Sequence, residues 1–153
     1  MSRIKIDLPE NFSFTTSIPI RITDINYGGH AGNDTILSLL HEARMQYLQC
    51  IGYTEMDFAG GGMIMADVGI EFKNELFYGD IVYASVAAAN IGKVSFDLYY
   101  KLEKKVDQTR DERKILVAIA KTGMVCYDYK IKKIMTLPEE ARKKIESSIT
   151  EKK

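Results

Sequence analysis

The sequence predicts one α+β domain spanning 1–153, with a curled antiparallel sheet wrapped around one long central helix. Three observations carry that reading. Between Asp34 and Ile51 apolar residues recur at Ile36, Leu40, Ala43, Tyr47 and Ile51, and Leu37, Leu39 and Leu48 widen the stripe, so this helix is mostly buried. Four segments with strand character follow it, 63–72, 81–89, 94–103 and 115–129, against one segment, 12–22, that precedes it. Strands gathered on one side of a buried helix are best accommodated by a sheet that bends around it.

The first strand is rich in Phe, Thr and Ile, and Pro19 near its middle places it at a sheet edge, because proline cannot donate to a ladder. The turn-forming stretch TDINYGGHAGND follows, and Asn33 or Asp34 is expected to cap the helix by accepting an orphan N–H of its first turn. Gly52 supplies the stop. A connection through Thr54 to Phe58 and the glycines of AGGG leads to the strands.

In VSFDLYYKLE the residues Val94, Phe96, Leu98, Tyr100 and Leu102 alternate with polar ones, giving one packed face and one wet face. The last strand is apolar on both alternating sets, which predicts a central position or a partner. KKVDQTRDERK reads as a solvated hairpin loop, and EEARKKIESSITEKK as a short helix with acidic residues early and basic ones later.

Composition narrows the function. Twenty-one basic and 21 acidic residues cancel, so no broad field favours nucleic acid. MSRIKIDLPENF lacks the apolar core of a signal peptide and no run is long enough to span a membrane, so a cytoplasmic protein is expected. Cys50 and Cys126 lack the spacing of a zinc or redox site, and His30 and His41 match no helical metal pair, so no metal is expected.

RITDINYGGHAGN resembles the R-x-x-D-x-D-x-x-G/N-H-x-N-N segment of the single-domain thioesterases related to 4-hydroxybenzoyl-CoA thioesterase and acyl-carrier-protein thioesterases. LLHEARMQYLQCIGY resembles their helix, FYGDIVYASV their G-D turn before a strand, and NIGKVSFDLYYKL the strand after it. The resemblance covers roughly residues 15 to 145. It implies a hot-dog fold, a homodimer or dimer of dimers (a homotetramer), and hydrolysis of acyl-CoA or acyl-carrier-protein thioesters at the interface. Coenzyme A then enters only as part of the substrate, with no separate cofactor. Two positions depart from the pattern: Asn26 stands where the catalytic carboxylate is usual, and Gly32 where the first Asn of H-x-N-N is usual.

Hydrolysis needs a base and donors for the oxyanion, and a helix start supplies donors from its unpaired amides. Asn26 cannot abstract a proton, so His30 is the candidate base, Asn26 an orienting amide, and Asp24 a support for the loop or the imidazole tautomer. The structural alternative is that His30 only bonds to backbone in the glycine-rich turn and that Asp24 simply closes it. Tyr27, Gly28, Gly29 and Asn33 are expected to meet substrate at the same loop. Met65, with Met63, Ile64 and Phe58, lines an acyl tunnel or is simply core. Lys93, and more weakly Lys121, are candidates for coenzyme A phosphates, and Glu42 and Asp67 are reserve carboxylates. A protein that binds acyl thioesters without turnover, and a dehydratase of 3-hydroxyacyl thioesters, remain as alternative functions.

Overall fold

The computed structural model describes residues 2–107 and 111–150. Its elements are β1 (Phe14–Pro19), a 3-10 turn (Ile22–Asp24), α1 (Asn33–Cys50), β2 (Gly62–Phe72), β3 (Ile81–Ala89), β4 (Ser95–Asp107), β5 (Asp111–Asp128), the two-residue β6 (Lys133–Ile134) and α2 (Glu139–Thr150). The strands form one antiparallel sheet in the order β1-β3-β4-β5-β2, with β6 on β5. The predicted α+β hot-dog architecture is therefore observed, with β1 at one edge and the doubly apolar β5 inside the sheet.

Burial explains why α1 lies on the concave face. Ile36, Leu39, Leu40, Ala43, Tyr47 and Leu48 are buried on it, opposite Phe96, Leu98, Tyr100 and Leu102 from the packed face of β4. The helix ends in a left-handed glycine motif: Gly52 takes φ +92°, its N–H donates to the Gln49 carbonyl, and the Tyr53 N–H donates to that of Leu48. Tyr53 then packs edge-on against Phe58, and Phe58 stacks on Phe96, which pins the connection after the helix to the core.

Three sequence expectations change. The helix begins at Asn33 with Gly32 as its cap, and no side chain caps it. Glycine holds the extended conformation needed there (φ −78°, ψ 173°), and Asn33 and Asp34 fall inside the first turn. The charged KKVDQTRDERK stretch is mostly strand, because β4 runs on to Asp107 and β5 starts at Asp111; residues 108–110 lie outside the described residues. The first strand is shorter than 12–22, since the chain turns into a 3-10 segment at Ile22.

Opposite β1, the other edge is β2. A bulge there leaves Ala66 without a partner in the ladder, and Met65 to Val68 are exposed. The bulge re-aims Asp67 so that its carboxylate accepts the Gly123 N–H at 2.8 Å and pairs with Lys121 at 2.9 Å. α2 closes the far end of the core with Ala141 and Ile145, and its Arg142 donates to the Gly92 carbonyl at 2.6 Å.

Cys126 lies in this core while Cys50 is exposed. Burial pushes the Cys126 thiol up from 9.0 to about 11, with Arg142 working in the opposite direction. In the native protein a thiol reagent is therefore expected to label Cys50 alone, with Cys126 labelled only after denaturation; mass spectrometry of the adducts checks this. Because the folded thiol keeps a proton that the unfolded one releases, its contribution to stability is complete below pH 9.0 and is lost as the pH climbs towards about 11.

Candidate functional site

The loop before α1 is built from its own backbone. The Asp24 carboxylate accepts the Arg21 N–H at 2.8 Å and lies 3.5 Å from the Arg21 guanidinium, closing the 3-10 turn. The Asp24 carbonyl accepts the Thr35 hydroxyl, which ties the turn to the first turn of α1. The Asn26 N–H then donates to the His30 carbonyl, the Gly29 N–H to the Asn26 carbonyl, and the Gly28 N–H to Asn26 Oδ1 at 2.9 Å. Gly29, at φ +87°, occupies the left-handed position that lets the chain reverse. The Ala31 N–H donates to the Leu76 carbonyl, anchoring the loop to the segment before β3.

Three features converge inside this loop. His30 Nδ1 lies 3.0 Å from the Ala31 carbonyl, which can only accept, so Nδ1 donates to it and in the neutral ring Nε2 carries the lone pair. Nε2 hangs over Gly28, where a β-carbon would sit 3.6 Å from it, and stands 4.0 Å from the Glu75 carboxylate. The Asn26 amide nitrogen lies against Gly32, 3.1 Å from where a β-carbon would be. Finally, the Gly32 carbonyl accepts from Thr35 and Ile36, whereas the amides of Asn33 and Asp34 have no acceptor among the described residues. The imidazole, a side-chain amide and two free helix amides thus belong to one loop and the helix turn that follows it.

The other sequence candidates are distributed more widely. Asp24 is taken up by Arg21, and the imidazole is oriented by the Ala31 carbonyl. Tyr27 projects fully into solvent beside exposed Gly28, Gly29 and Asn33. Met65 lies further along α1, in a cleft of about 520 Å³ that also includes His41, Met45, Met56, Met63 and Tyr129. Lys93 sits in the β3–β4 turn, where its carbonyl accepts the Leu137 N–H. The nine residues of β3, about 30 Å at ~3.3 Å each, separate that turn from the His30 loop in one chain. Glu42 accepts from Gln46 on the β1 flank of the helix, and the Lys121 hydrogen bond holds the Asp67 carboxyl below its ordinary range, with the Gly123 N–H adding to it.

Sequence reasoning passed over a second polar cluster. Arg44 is only 5% exposed, yet it stands on the same stripe of α1 as Leu40, Tyr47 and Leu48. Its Nε donates to Glu55 at 3.1 Å and its Nη1 to the Tyr100 hydroxyl at 3.2 Å; that hydroxyl lies 2.8 Å from the Thr122 hydroxyl. The second Glu55 oxygen lies 2.6 Å from His41 Nε2. Burial opposes the Arg44 charge, and Tyr100 and Glu55 outweigh it, so the guanidinium pKa rises above its ordinary value. The signal that would have found this cluster is a charged residue at a core position of a buried helix.

A curled sheet about a single buried helix, with an open glycine-rich mouth at the helix start, defines a hot-dog-fold protein. The chain belongs to the thioesterase-like superfamily, whose family model matches residues 20–145. Similar solved structures include a hypothetical protein of Staphylococcus aureus in complex with CoA (TM-score 0.78, 13% identity, covering 95% of this chain and 88% of that one). The 1,4-dihydroxy-2-naphthoyl-CoA thioesterase of Synechocystis is also similar (TM-score 0.73, 19% identity, 86% and 94% covered), as is a thioesterase superfamily protein of Jannaschia (TM-score 0.77, 13% identity, 92% and 86% covered). No curated protein matches the chain by sequence. Among the described residues no helix is long and apolar enough to cross a membrane, and no group of three or more His, Cys, Asp or Glu is placed to hold a metal ion.

The Arg44 cluster has a measurable weight. Arg44→Ala leaves the mostly buried Glu55 carboxylate without its cation and is expected to cost about 3 kcal/mol. Arg21→Ala, which breaks an exposed pair, is expected to cost under about 0.5 kcal/mol. Urea denaturation of the two variants checks the contrast.

Proposed function

We propose that the protein hydrolyses acyl thioesters of coenzyme A or of an acyl-carrier protein at the mouth formed by Asn26, His30 and the start of α1. The observation that carries the reading is the uncapped helix N-terminus with the His30 lone pair beside it. The free amides of Asn33 and Asp34, backed by the helix dipole, receive the thioester oxygen as it gains charge. His30 Nε2 takes a proton from water as that water attacks the carbonyl carbon. The carbon–sulfur bond then breaks, and the imidazolium returns its proton to the departing thiolate. Asn26, whose Oδ1 is held by the Gly28 N–H, turns its amide nitrogen towards the mouth and orients the water or the carbonyl.

Release of free thiol from a panel of acyl-CoA and acyl-carrier-protein thioesters tests this. His30→Ala is expected to lower kcat by about 10²- to 10⁴-fold, and Asn26→Ala by about tenfold, with KM little changed. Wild-type turnover in both variants refutes the assignment. Tight binding with no thiol released selects the non-catalytic alternative, which Asn26 at the usual carboxylate position favours.

We further infer that the protein acts in the cytoplasm as a homodimer joined through β2. That edge is long and carries Val68, 38% exposed, so a second copy would satisfy its free backbone groups. Light scattering is expected to return twice the 17.3 kDa chain mass or, for a dimer of dimers, four times it; a single chain mass rejects the pairing.

A further inference from the structure

The buried Arg44 cluster ends in an open groove. On α1 the residues Asn33, Leu37, His41 and Met45 succeed one another at intervals of four, so they form one row along the flank facing β2. Asn33, Leu37 and His41 are exposed and Met45 is half-buried. The row starts at the free amides of the helix mouth and enters the cleft of about 520 Å³ walled by Met45, Met56, Met63, Ile64, Met65 and Tyr129. The cleft's polar lining is His41, Arg44, Thr54 and Glu55; Arg44 is buried, whereas the His41 side chain is 58% exposed.

The setting of His41 fixes the chemistry it offers. The Glu55 carboxylate, bonded to Arg44 at 3.1 Å, can only accept, so His41 Nε2 donates to it across 2.6 Å. In the neutral ring Nδ1 then carries a lone pair and can only accept. Glu55 cannot turn away, because Arg44 is itself locked by Tyr100, which is fully buried and bonded to fully buried Thr122. Backbone contacts hold the connection that carries Glu55: the Glu55 carbonyl accepts the Met63 N–H, and Ala59 at φ +54° and Gly60 at φ +93° turn the chain back into β2.

Distance decides what His41 can touch. It lies eight residues beyond Asn33, about 12 Å along the helix axis, too far to reach a carbonyl held at the mouth of the same chain. It can reach the far part of an acyl group lying in the groove. We propose that this groove seats the acyl group and that His41 selects acyl thioesters carrying a hydroxyl on their distal part, the hydroxyl donating to Nδ1. His41 is then a specificity residue, and Glu55 and Arg44 are positioning residues acting through it. The proposal rests on the thioesterase reading above and deepens it by naming the substrate class.

The test uses matched medium-chain acyl-CoA esters of equal length: unsubstituted, distally hydroxylated, and the methyl ether of the hydroxylated one, which keeps an acceptor and loses the donor. At the best chain length the wild-type protein is expected to favour the hydroxylated ester over both others by about three- to tenfold in kcat/KM. His41→Leu is expected to bring those ratios to one or below. In Glu55→Gln the new amide can donate to Nε2 and reverse the ring's tautomer, which raises the methyl ether relative to the alcohol. Because His41 is half-exposed, the leucine variant does not depend on rebuilding the core. Wild-type ratios at or below one for every length, or an unchanged preference in His41→Leu, overturn the proposal. If no ester releases thiol, the hydrolysis reading fails on its own, and calorimetric affinities for the same three ligands decide the preference without turnover.

Discussion

Arg44 is a cation set among hydrocarbon, and its pairing constrains the rest of the fold. Bringing an ion out of water costs several kcal/mol even after relaxation. Here the cost is offset by partners from three directions: Glu55 from the connection after α1, Tyr100 from β4, and Thr122 from β5 behind Tyr100. For all of them to meet, α1 must lie across the concave face at one rotation and one depth. That rotation sends Leu40, Ala43, Tyr47 and Leu48 into the core and leaves two flanks, with Ser38, Glu42 and Gln46 towards β1 and Leu37, His41 and Met45 towards β2. The polar network contributes register, while the apolar face supplies most of the driving force.

The same rotation fixes the mouth. The Thr35 hydroxyl reaches back to the Asp24 carbonyl, and the Ala31 N–H reaches the Leu76 carbonyl, so the glycine-rich loop is held at both ends. Between those anchors Asn26, Gly28 and His30 have little choice of position. Asp24 stabilises the turn from outside the mouth, through Arg21. The loop therefore separates its duties, with one carboxylate shaping the backbone and one imidazole left with an unshared lone pair.

Much of this was legible from residue order. The width of the α1 stripe, the alternation in VSFDLYYKLE and the doubly apolar β5 each report burial directly, and burial places the helix and orders the faces of the sheet. Gly52 was legible as a stop because only a residue tolerant of positive φ ends a helix in that way. The start was misread because Asn33 and Asp34 are strong capping residues in isolation, whereas Gly32 holds the extended position and neither side chain is used as a cap. Met65 as an acyl-tunnel or core residue and Lys93 as a phosphate contact rest on residue type alone, and how far each stands from the loop is set by strand register: a nine-residue strand lies between Lys93 and His30. The Arg44 cluster depends on contacts 11 to 56 residues apart in sequence, which no local pattern encodes.

Gly32 at the cap is an instructive choice. A serine, asparagine or aspartate there would satisfy one of the orphan amides and strengthen the helix, typically by a few tenths of a kcal/mol over glycine. A β-carbon at that position would sit 2.7 Å from Asp34 Oδ1 and 3.1 Å from the Asn26 amide, so any side chain displaces the groups at the mouth. A capping oxygen would also occupy the place that receives the acyl oxygen in the proposed reaction. The helix therefore forgoes a little local stability, and its wide apolar face offsets that loss. What the glycine leaves open is a pair of amides whose dipole is aligned before any ligand arrives, and preorganisation of that kind lets a hydrogen bond act on a transition state without reorganising around it.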